Sequence, residues 1–167
     1  MITQIMEAVV WGTVQGWISL VGRVGIGVVW IAAGSSKIGD LAESGRAVNA
    51  YRLLPYDAAT FLGAALPFLE IALGVLLIVG LATRVGAVVS VLLLVAFIAG
   101  IASAWARGLR IDCGCFGGGG DLAANQQPTY FSETIRDIGL LLVAGFLVIF
   151  PRSRFSLDAR LLDGGPR

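Results

Sequence analysis

Histidine is absent from the 167-residue chain, and cysteine occurs only twice. Without imidazole the chain has no Cys/His or Ser/His catalytic pair, no histidine-ligated haem and few of the usual zinc sites. Charged residues are also scarce, at 14% of the chain, and the net charge is only +1. No basic run is present, so the sequence predicts no nucleic-acid partner.

The chain is unusually rich in apolar side chains. Hydrophobic residues make up 57% of it, and the mean hydropathy is +0.86, more than a soluble domain of this length can bury. A membrane-spanning helix needs about 20 mostly apolar residues, and four windows qualify: residues 17–35, 61–81, 85–105 and 135–150. The sequence therefore predicts an all-α protein, a membrane-embedded four-helix bundle over residues 17–151.

Two flanking segments also have helical character. Residues 1–16 lack Lys and Arg and have no clear cleavage site, so they are not typical of a secretory signal. They are predicted to form an interfacial helix or an extension of the first span. In the first loop, Asp40 and Glu43 have the spacing of an N-capped helix. Residues 41–54 are predicted to form a short amphipathic outer helix, which either docks a partner or only seals the bundle.

The distribution of basic residues predicts the orientation in the membrane. Four spans place both termini on one side, and the positive-inside rule favours the cytoplasm for that side. Its basic residues are Arg84, Arg152, Arg154, Arg160 and Arg167. The opposite loops also carry basic residues, namely Lys37, Arg46, Arg52, Arg107 and Arg110. We predict a multi-pass protein of the cytoplasmic (inner) membrane, with a basic cytoplasmic tail at residues 152–167 and the cysteine loop on the extracytoplasmic side.

Both cysteines lie in one loop, Asp112-Cys-Gly-Cys-Phe-Gly-Gly-Gly-Gly. Gly114 tolerates the unusual backbone that a bridge between Cys113 and Cys115 needs. Because so small a ring removes little chain entropy, the bridge would be a poor structural staple. Strained, exposed disulfides are labile and oxidising. The spacing therefore favours a redox-active pair over two inert thiols.

The same loop bears on metals and partners. Two thiolates without histidine do not complete a tetrahedral zinc site or an iron–sulfur cluster unless other ligands or a second chain join, so no metal is predicted. Gly114, Phe116 and Gly117 are predicted to present the sulfurs to a partner. Arg110 favours a thiolate and Asp112 opposes it, which leaves open which cysteine attacks.

A single dithiol cannot relay electrons across a membrane. The simplest acceptor at the same depth is a lipid-soluble quinone (ubiquinone or menaquinone), since the chain has no dinucleotide fingerprint. Ionisable residues inside spans are candidate functional residues. On this ground Arg23 and Glu70 are predicted to pair, and Lys37, Arg136 and Asp137 to form a polar cluster beneath the loop. These five residues either contact the quinone head group or lock the helix packing.

Several motifs resemble the DoxX-like membrane proteins, and the element at residues 113–117 resembles their MauE (methylamine utilization) branch in particular. The matching pieces are Arg23, Gly34-Ser-Ser-Lys37, Tyr51-Arg-Leu-Leu-Pro55, Leu66-Pro67-Phe-Leu-Glu70, Gly80-Leu-Ala-Thr-Arg84, Asp112-Cys-Gly-Cys-Phe-Gly117 and Arg136-Asp137. The resemblance implies a four-helix membrane protein that helps to form disulfides in an exported enzyme subunit. Its implied role is similar to that of DsbB and vitamin K epoxide reductase, which employ additional cysteines.

These observations predict a membrane thiol–disulfide oxidoreductase. Cys113 and Cys115 would exchange electrons between an extracytoplasmic thioredoxin-fold (DsbA-like) protein and membrane quinone. The alternative is a non-enzymatic membrane anchor or assembly factor for an exported redox protein. The direction of electron flow is left open.

Overall fold

The computed structural model describes residues 2–151, 153 and 155–158, with side chains from residue 14 onward. Five helices and a small two-stranded ribbon make up the fold: α1 Ile2–Lys37, α2 Leu41–Ala50, α3 Tyr56–Val79, α4 Thr83–Ala106, β1 Ile111–Asp112, β2 Gly120–Asp121 and α5 Tyr130–Ile149. The prediction of an all-α protein is confirmed, with the ribbon as a local addition. The arginines of the predicted tail (Arg152, Arg154, Arg160 and Arg167) lie outside the described residues.

Three segments within these helices are long and apolar enough to cross a membrane, namely Val14–Lys37, Tyr56–Val79 and Thr83–Ala106. They make the chain a multi-pass membrane protein and coincide with the first three predicted windows. The fourth window falls in α5, which begins five residues earlier than predicted and so includes Glu133 as well as Arg136 and Asp137. Membrane crossing by α5 stays a prediction. Helix α1 continues without a break from Ile2, through the predicted interfacial segment.

Local chemistry explains where α2 begins and ends. The Asp40 carboxylate accepts a hydrogen bond from the Glu43 backbone N–H at 2.8 Å, which confirms the predicted N-cap. The helix ends at Ala50 rather than Leu54. Arg52 turns the chain with a φ of 51°, and its N–H donates to the Asn49 carbonyl at 2.9 Å. Residues 51–55 therefore form a connection to α3 instead of a last helical turn.

Glycines allow the helices of one half of the bundle to pack closely. A Cβ on Gly27 of α1 would lie 2.9 Å from the Gly74 carbonyl oxygen, and one on Gly74 would lie 2.6 Å from the Gly27 oxygen. Gly63 of α3 in turn touches the backbone of Ser44 in α2. Such close backbone approach is how membrane helices gain packing energy without a hydrophobic driving force between them. Helices α1, α2 and α3 thus form one closely packed unit.

Helix α4 packs mainly on α5 and meets α3 much less closely. The buried core between the two halves includes Trp30, whose indole N–H donates to the Ser90 hydroxyl at 2.9 Å. At one end of the bundle lie the C-terminus of α1, α2, the β1–β2 loop and the start of α5; we call this the thiol end. At the other end lie the α3–α4 turn and the described residues 150, 151, 153 and 155–158; we call this the turn end.

Candidate functional site

The ribbon β1–β2 carries the two cysteines in the loop between its strands. Ile111 pairs with Asp121 and Asp112 with Gly120. Gly114 has a φ of 69° and Gly119 a φ of 100°, a backbone conformation that L side chains rarely adopt. A Cβ on either glycine would also come within 2.9 Å or less of the Ala47 side chain. The loop therefore rests directly on α2, and larger residues at these two positions would push it away.

Cys113 and Cys115 face each other as free thiols, with their sulfurs 2.8 Å apart. The Cys115 backbone N–H points at the Cys113 sulfur at 3.3 Å. The Gly114 N–H donates to the Asp112 carboxylate at 2.9 Å, which tightens the turn between the sulfurs. Both side chains are partly exposed. The arrangement holds a vicinal dithiol from which a disulfide can form with little movement.

Two tyrosines fix the loop to the bundle. The Tyr51 hydroxyl donates to the Cys113 carbonyl at 3.3 Å. The Tyr130 hydroxyl donates to the Leu109 carbonyl at 2.7 Å and accepts from the Ile111 N–H at 3.1 Å. The cysteine loop is therefore held at its base by α5 and beside the first sulfur by the end of α2.

The pKa values of the two thiols shift in opposite directions, although burial raises both and Asp137 also opposes the lowering at Cys115. The hydrogen bond from Cys113 to Cys115 raises the pKa of Cys113 and lowers the pKa of Cys115. Burial and the Glu133 carboxylate raise the pKa of Cys113 further. The positive charges of Arg136 and Lys37 help to lower the pKa of Cys115. Cys115 is therefore the sulfur that the structure favours as a thiolate.

A polar cluster lies beneath Cys115, as the sequence predicts for Lys37, Arg136 and Asp137. Arg136 and Asp137 pair at 2.9 Å. Lys37 pairs with Glu70 at 2.6 Å, and these side chains are only 7% and 0% exposed. A cavity of about 20 Å³ touches Cys115, Glu70 and Asp137. The structure thus brings four of the five predicted polar residues together at the thiol end.

Arg23 is the fifth residue, and it lies elsewhere. Its guanidinium donates to the Phe155 carbonyl at 3.4 Å, at the turn end. The expectation that Arg23 pairs with Glu70 is wrong, because Glu70 pairs with Lys37. The fourteen positions between Arg23 and Lys37 along one helix separate them by about 21 Å.

The three residues predicted to meet a partner differ in their surroundings. Phe116 is 43% exposed, and the Arg136 guanidinium lies 4.9 Å above the centre of its ring. A Cβ on Gly117 would meet the Ser36 carbonyl oxygen at 2.9 Å, so Gly117 packs on the end of α1. Gly114 faces α2. Of the three, Phe116 offers a side chain to a visiting molecule, and binding of a partner stays a prediction.

An apolar groove of about 330 Å³ leads to the dithiol from the side of the bundle. It lies where α3 and α4 diverge, beneath α2 and the cysteine loop. Its polar residues are Lys37, Ser44, Tyr51, Cys113 and Cys115, and its apolar lining includes Leu53, Leu54, Leu62, Leu66, Leu93, Ala96 and Phe97. Of its exposed leucines, Leu62 lies on the membrane-spanning helix α3, and Leu53 and Leu54 lie in the connection just before that helix. A groove of this size and lining suits a small apolar ligand with a polar head.

The sequence reasoning missed Glu133 as a site residue. Glu133 is 8% exposed, and its Oε1 accepts from the Thr129 hydroxyl at 2.8 Å. Its Oε2 is buried with no hydrogen-bond partner among the described residues. The available signal was spacing, because Glu133 precedes Arg136 by three residues and so shares its helix face. The predicted helix began at residue 135 and so left Glu133 outside, which is why the spacing was not used.

Comparison with known proteins gives one consistent relationship. Residues 15–150 match the family described as "Methylamine utilisation protein MauE". The curated "Methylamine utilization protein MauE" of Paracoccus denitrificans is 32% identical over 143 residues, which cover 85% of this chain and 73% of that protein. No solved structure matches.

Proposed function

The chain belongs to the MauE family, and we propose that it is a membrane thiol–disulfide oxidoreductase whose working centre is Cys113 and Cys115. The observation that carries the proposal is the position of this dithiol, with sulfurs 2.8 Å apart, at the head of an apolar groove between membrane-spanning helices. Kinship with the wider DoxX-like proteins is part of the proposal.

The first half-reaction is thiol–disulfide exchange. A thiolate of an extracytoplasmic thioredoxin-fold, DsbA-like protein attacks the Cys113–Cys115 disulfide and forms a mixed disulfide. The second thiol of that partner then resolves it, so the partner leaves oxidised and this chain keeps two thiols. Cys115 is the better leaving sulfur, because its neighbours Arg136 and Lys37 lower its pKa. The partner's attack on Cys113 would therefore expel Cys115.

Reoxidation of the dithiol takes place in the groove. A membrane quinone (ubiquinone or menaquinone) bound there would supply the acceptor for the two electrons and two protons that the thiols release when the disulfide forms again. The residues present fit such a ligand, because Lys37 and Tyr51 supply polar groups beside the sulfurs and the leucine lining suits a prenyl tail. Lys37 lines the groove, and the buried Glu70 neutralises it from behind at 2.6 Å.

The setting of this reaction follows from the relative and from the charge pattern. The relative's name refers to methylamine utilization, so we place the chain in that process, supporting disulfide formation in an exported protein. Four spans in the cytoplasmic membrane, with the thiol end on the extracytoplasmic side, put the dithiol where such a client is accessible. The basic residue Arg84 then lies on the cytoplasmic side.

The test uses purified protein in detergent with a reduced thioredoxin-fold partner and a soluble quinone. Wild type should oxidise the partner and reduce the quinone in equal amounts. Cys113→Ser and Cys115→Ser should abolish turnover, and one of them should trap the partner as a mixed disulfide. If both variants oxidise the partner as well as wild type, the enzyme proposal fails and the membrane-anchor function replaces it.

A second pair of variants tests the groove. Ala96 is exposed and lines the groove, whereas Ala102 is exposed on the same helix and does not. Ala96→Trp should therefore raise the quinone KM while leaving exchange with the partner intact. Ala102→Trp should leave both unchanged. Equal effects of the two substitutions would remove the groove from the proposal.

A further inference from the structure

A set of potential metal ligands lies around Cys113. A carboxylate oxygen of Asp112, the sulfur of Cys113 and a carboxylate oxygen of Glu133 all lie within 4.8 Å of one another. The Cys115 sulfur is not one of these mutually close atoms, but it lies 2.8 Å from that of Cys113. These four side chains come from the ribbon loop and the first turn of α5, which Tyr130 holds together.

The buried side chain of Glu133 is a separate observation that points to a bound cation at this place. Its side chain is more than nine-tenths buried, and one of its oxygens lacks a hydrogen-bond partner among the described residues. Burying such an oxygen without a partner is unfavourable by about 1–3 kcal/mol, and more when the group is charged. A cation held between this oxygen and the sulfurs would satisfy it.

We propose that the reduced protein binds one thiophilic divalent cation of the zinc class through Cys113, Cys115, Glu133 and Asp112. Zinc accepts sulfur and carboxylate ligands in tetrahedral geometry, and thiolates discriminate against magnesium and calcium. Binding displaces the two thiol protons and leaves two zinc–thiolate bonds. In a tetrahedral site the sulfurs would separate to roughly 3.7 Å, a change that side-chain rotation on a glycine-flanked loop can supply.

The bound cation would regulate the dithiol. Both sulfurs are then committed to the metal and are not available for disulfide formation, so the metal holds the protein reduced. This inhibitory consequence rests on the proposed function. Metal binding itself does not, because it needs only the reduced thiols and the two carboxylates.

The test is a cobalt titration of reduced, metal-free protein in detergent. Thiolate-to-cobalt charge-transfer absorbance should rise to one cobalt per chain, and zinc should displace it. Oxidised protein should give no such band. Glu133→Gln should weaken binding by roughly 10- to 100-fold, since a lost ligand should matter at least as much as a lost supporting residue. Asp112→Asn is a second variant, useful if the first fails to fold as judged by circular dichroism.

Glu43→Gln is the matched control, because it changes a carboxylate on α2 that lies outside the ligand set. It should leave the titration unchanged. Absence of the cobalt band, equal binding by oxidised protein, or wild-type affinity in both carboxylate variants would overturn the inference. Zinc binding by a protein that fails to oxidise any partner even after the metal is removed would refute the proposed function and leave the metal site standing. Turnover without a cobalt band would refute only the metal site.

Discussion

Both ends of the bundle bury charged side chains, but they use them differently. At the turn end, the Asp158 carboxylate accepts from the Ala82 and Thr83 N–H groups at 2.8 Å, and Arg23 donates to the Phe155 carbonyl. These contacts satisfy backbone groups at the start of α4 and in the C-terminal segment. At the thiol end, Lys37 and Glu70 pair with each other, and Lys37 lines a groove together with the two cysteines.

These two sets of contacts show that a buried charge does not by itself mark a functional site in a membrane protein. Arg23 and Glu70 are both almost fully buried within membrane helices, so the free-energy cost of burying a charge does not distinguish them. What separates them is the neighbouring chemistry: Glu70 lies near Cys115, and Arg23 lies near a backbone carbonyl. Variants at each end of the bundle test this distinction.

Breaking the Lys37–Glu70 pair should have the largest effect. Lys37→Met or Glu70→Leu alone leaves one charge buried without its partner and should destabilise the fold by about 3–5 kcal/mol. The double variant should recover most of this loss, because both charges are then gone. Denaturant unfolding in detergent micelles measures the difference. A double variant that loses the sum of the two single losses would show that the two side chains are not coupled.

Removing the cap at the turn end should have an intermediate effect. Asp158→Ala loses two hydrogen bonds to the first residues of α4 and should cost about 1–2 kcal/mol. The rate of thiol alkylation should stay at its wild-type value, since the cysteines lie at the other end. Asp57→Ala, at an exposed acid in the first turn of α3, is the control for stability. A change in the thiol alkylation rate of Asp158→Ala would show that the two ends of the bundle are coupled.

Loosening the cysteine loop should have a smaller effect. Tyr51→Phe removes the hydrogen bond to the Cys113 carbonyl and should cost about 1 kcal/mol. Amide hydrogen exchange should accelerate in residues 113–119 and stay unchanged at the turn end. Uniform acceleration throughout the bundle would instead assign Tyr51 a general packing role.

The smallest effect concerns the order in which the thiols react. The pKa of Cys115 is lowered and that of Cys113 is raised. Cys115 should therefore be alkylated first, at a lower pH than an ordinary thiol requires. Arg136→Gln removes a positive charge that stabilises the Cys115 thiolate, so alkylation of Cys115 should require a higher pH in this variant. Arg84→Gln, at the turn end, should cause no shift. Peptide mass spectrometry locates the label, and first labelling at Cys113 would contradict the assignment.

Much of the fold was predictable because it depends on patterns local in the chain. Apolar length predicted four membrane helices, three of which match helices long and apolar enough to cross, and the Asp40–Glu43 spacing predicted the start of α2. The end of α2 was mispredicted, since the turn at Arg52 depends on a positive φ that the residue type does not indicate. The start of α5 was also mispredicted, because its first turn is polar and a hydropathy window excludes it.

Local patterns in the chain were enough to place a close pair of cysteines on a glycine-rich loop beside membrane helices, because thiol spacing, glycine content and apolar length are all local properties. Packing between distant segments, in contrast, makes Glu70 pair with Lys37, places Arg23 at the opposite end, and brings Tyr51 and Glu133 to either side of Cys113. It also created the groove between α3 and α4. These features join residues distant in the chain, and helix packing alone sets which of them meet.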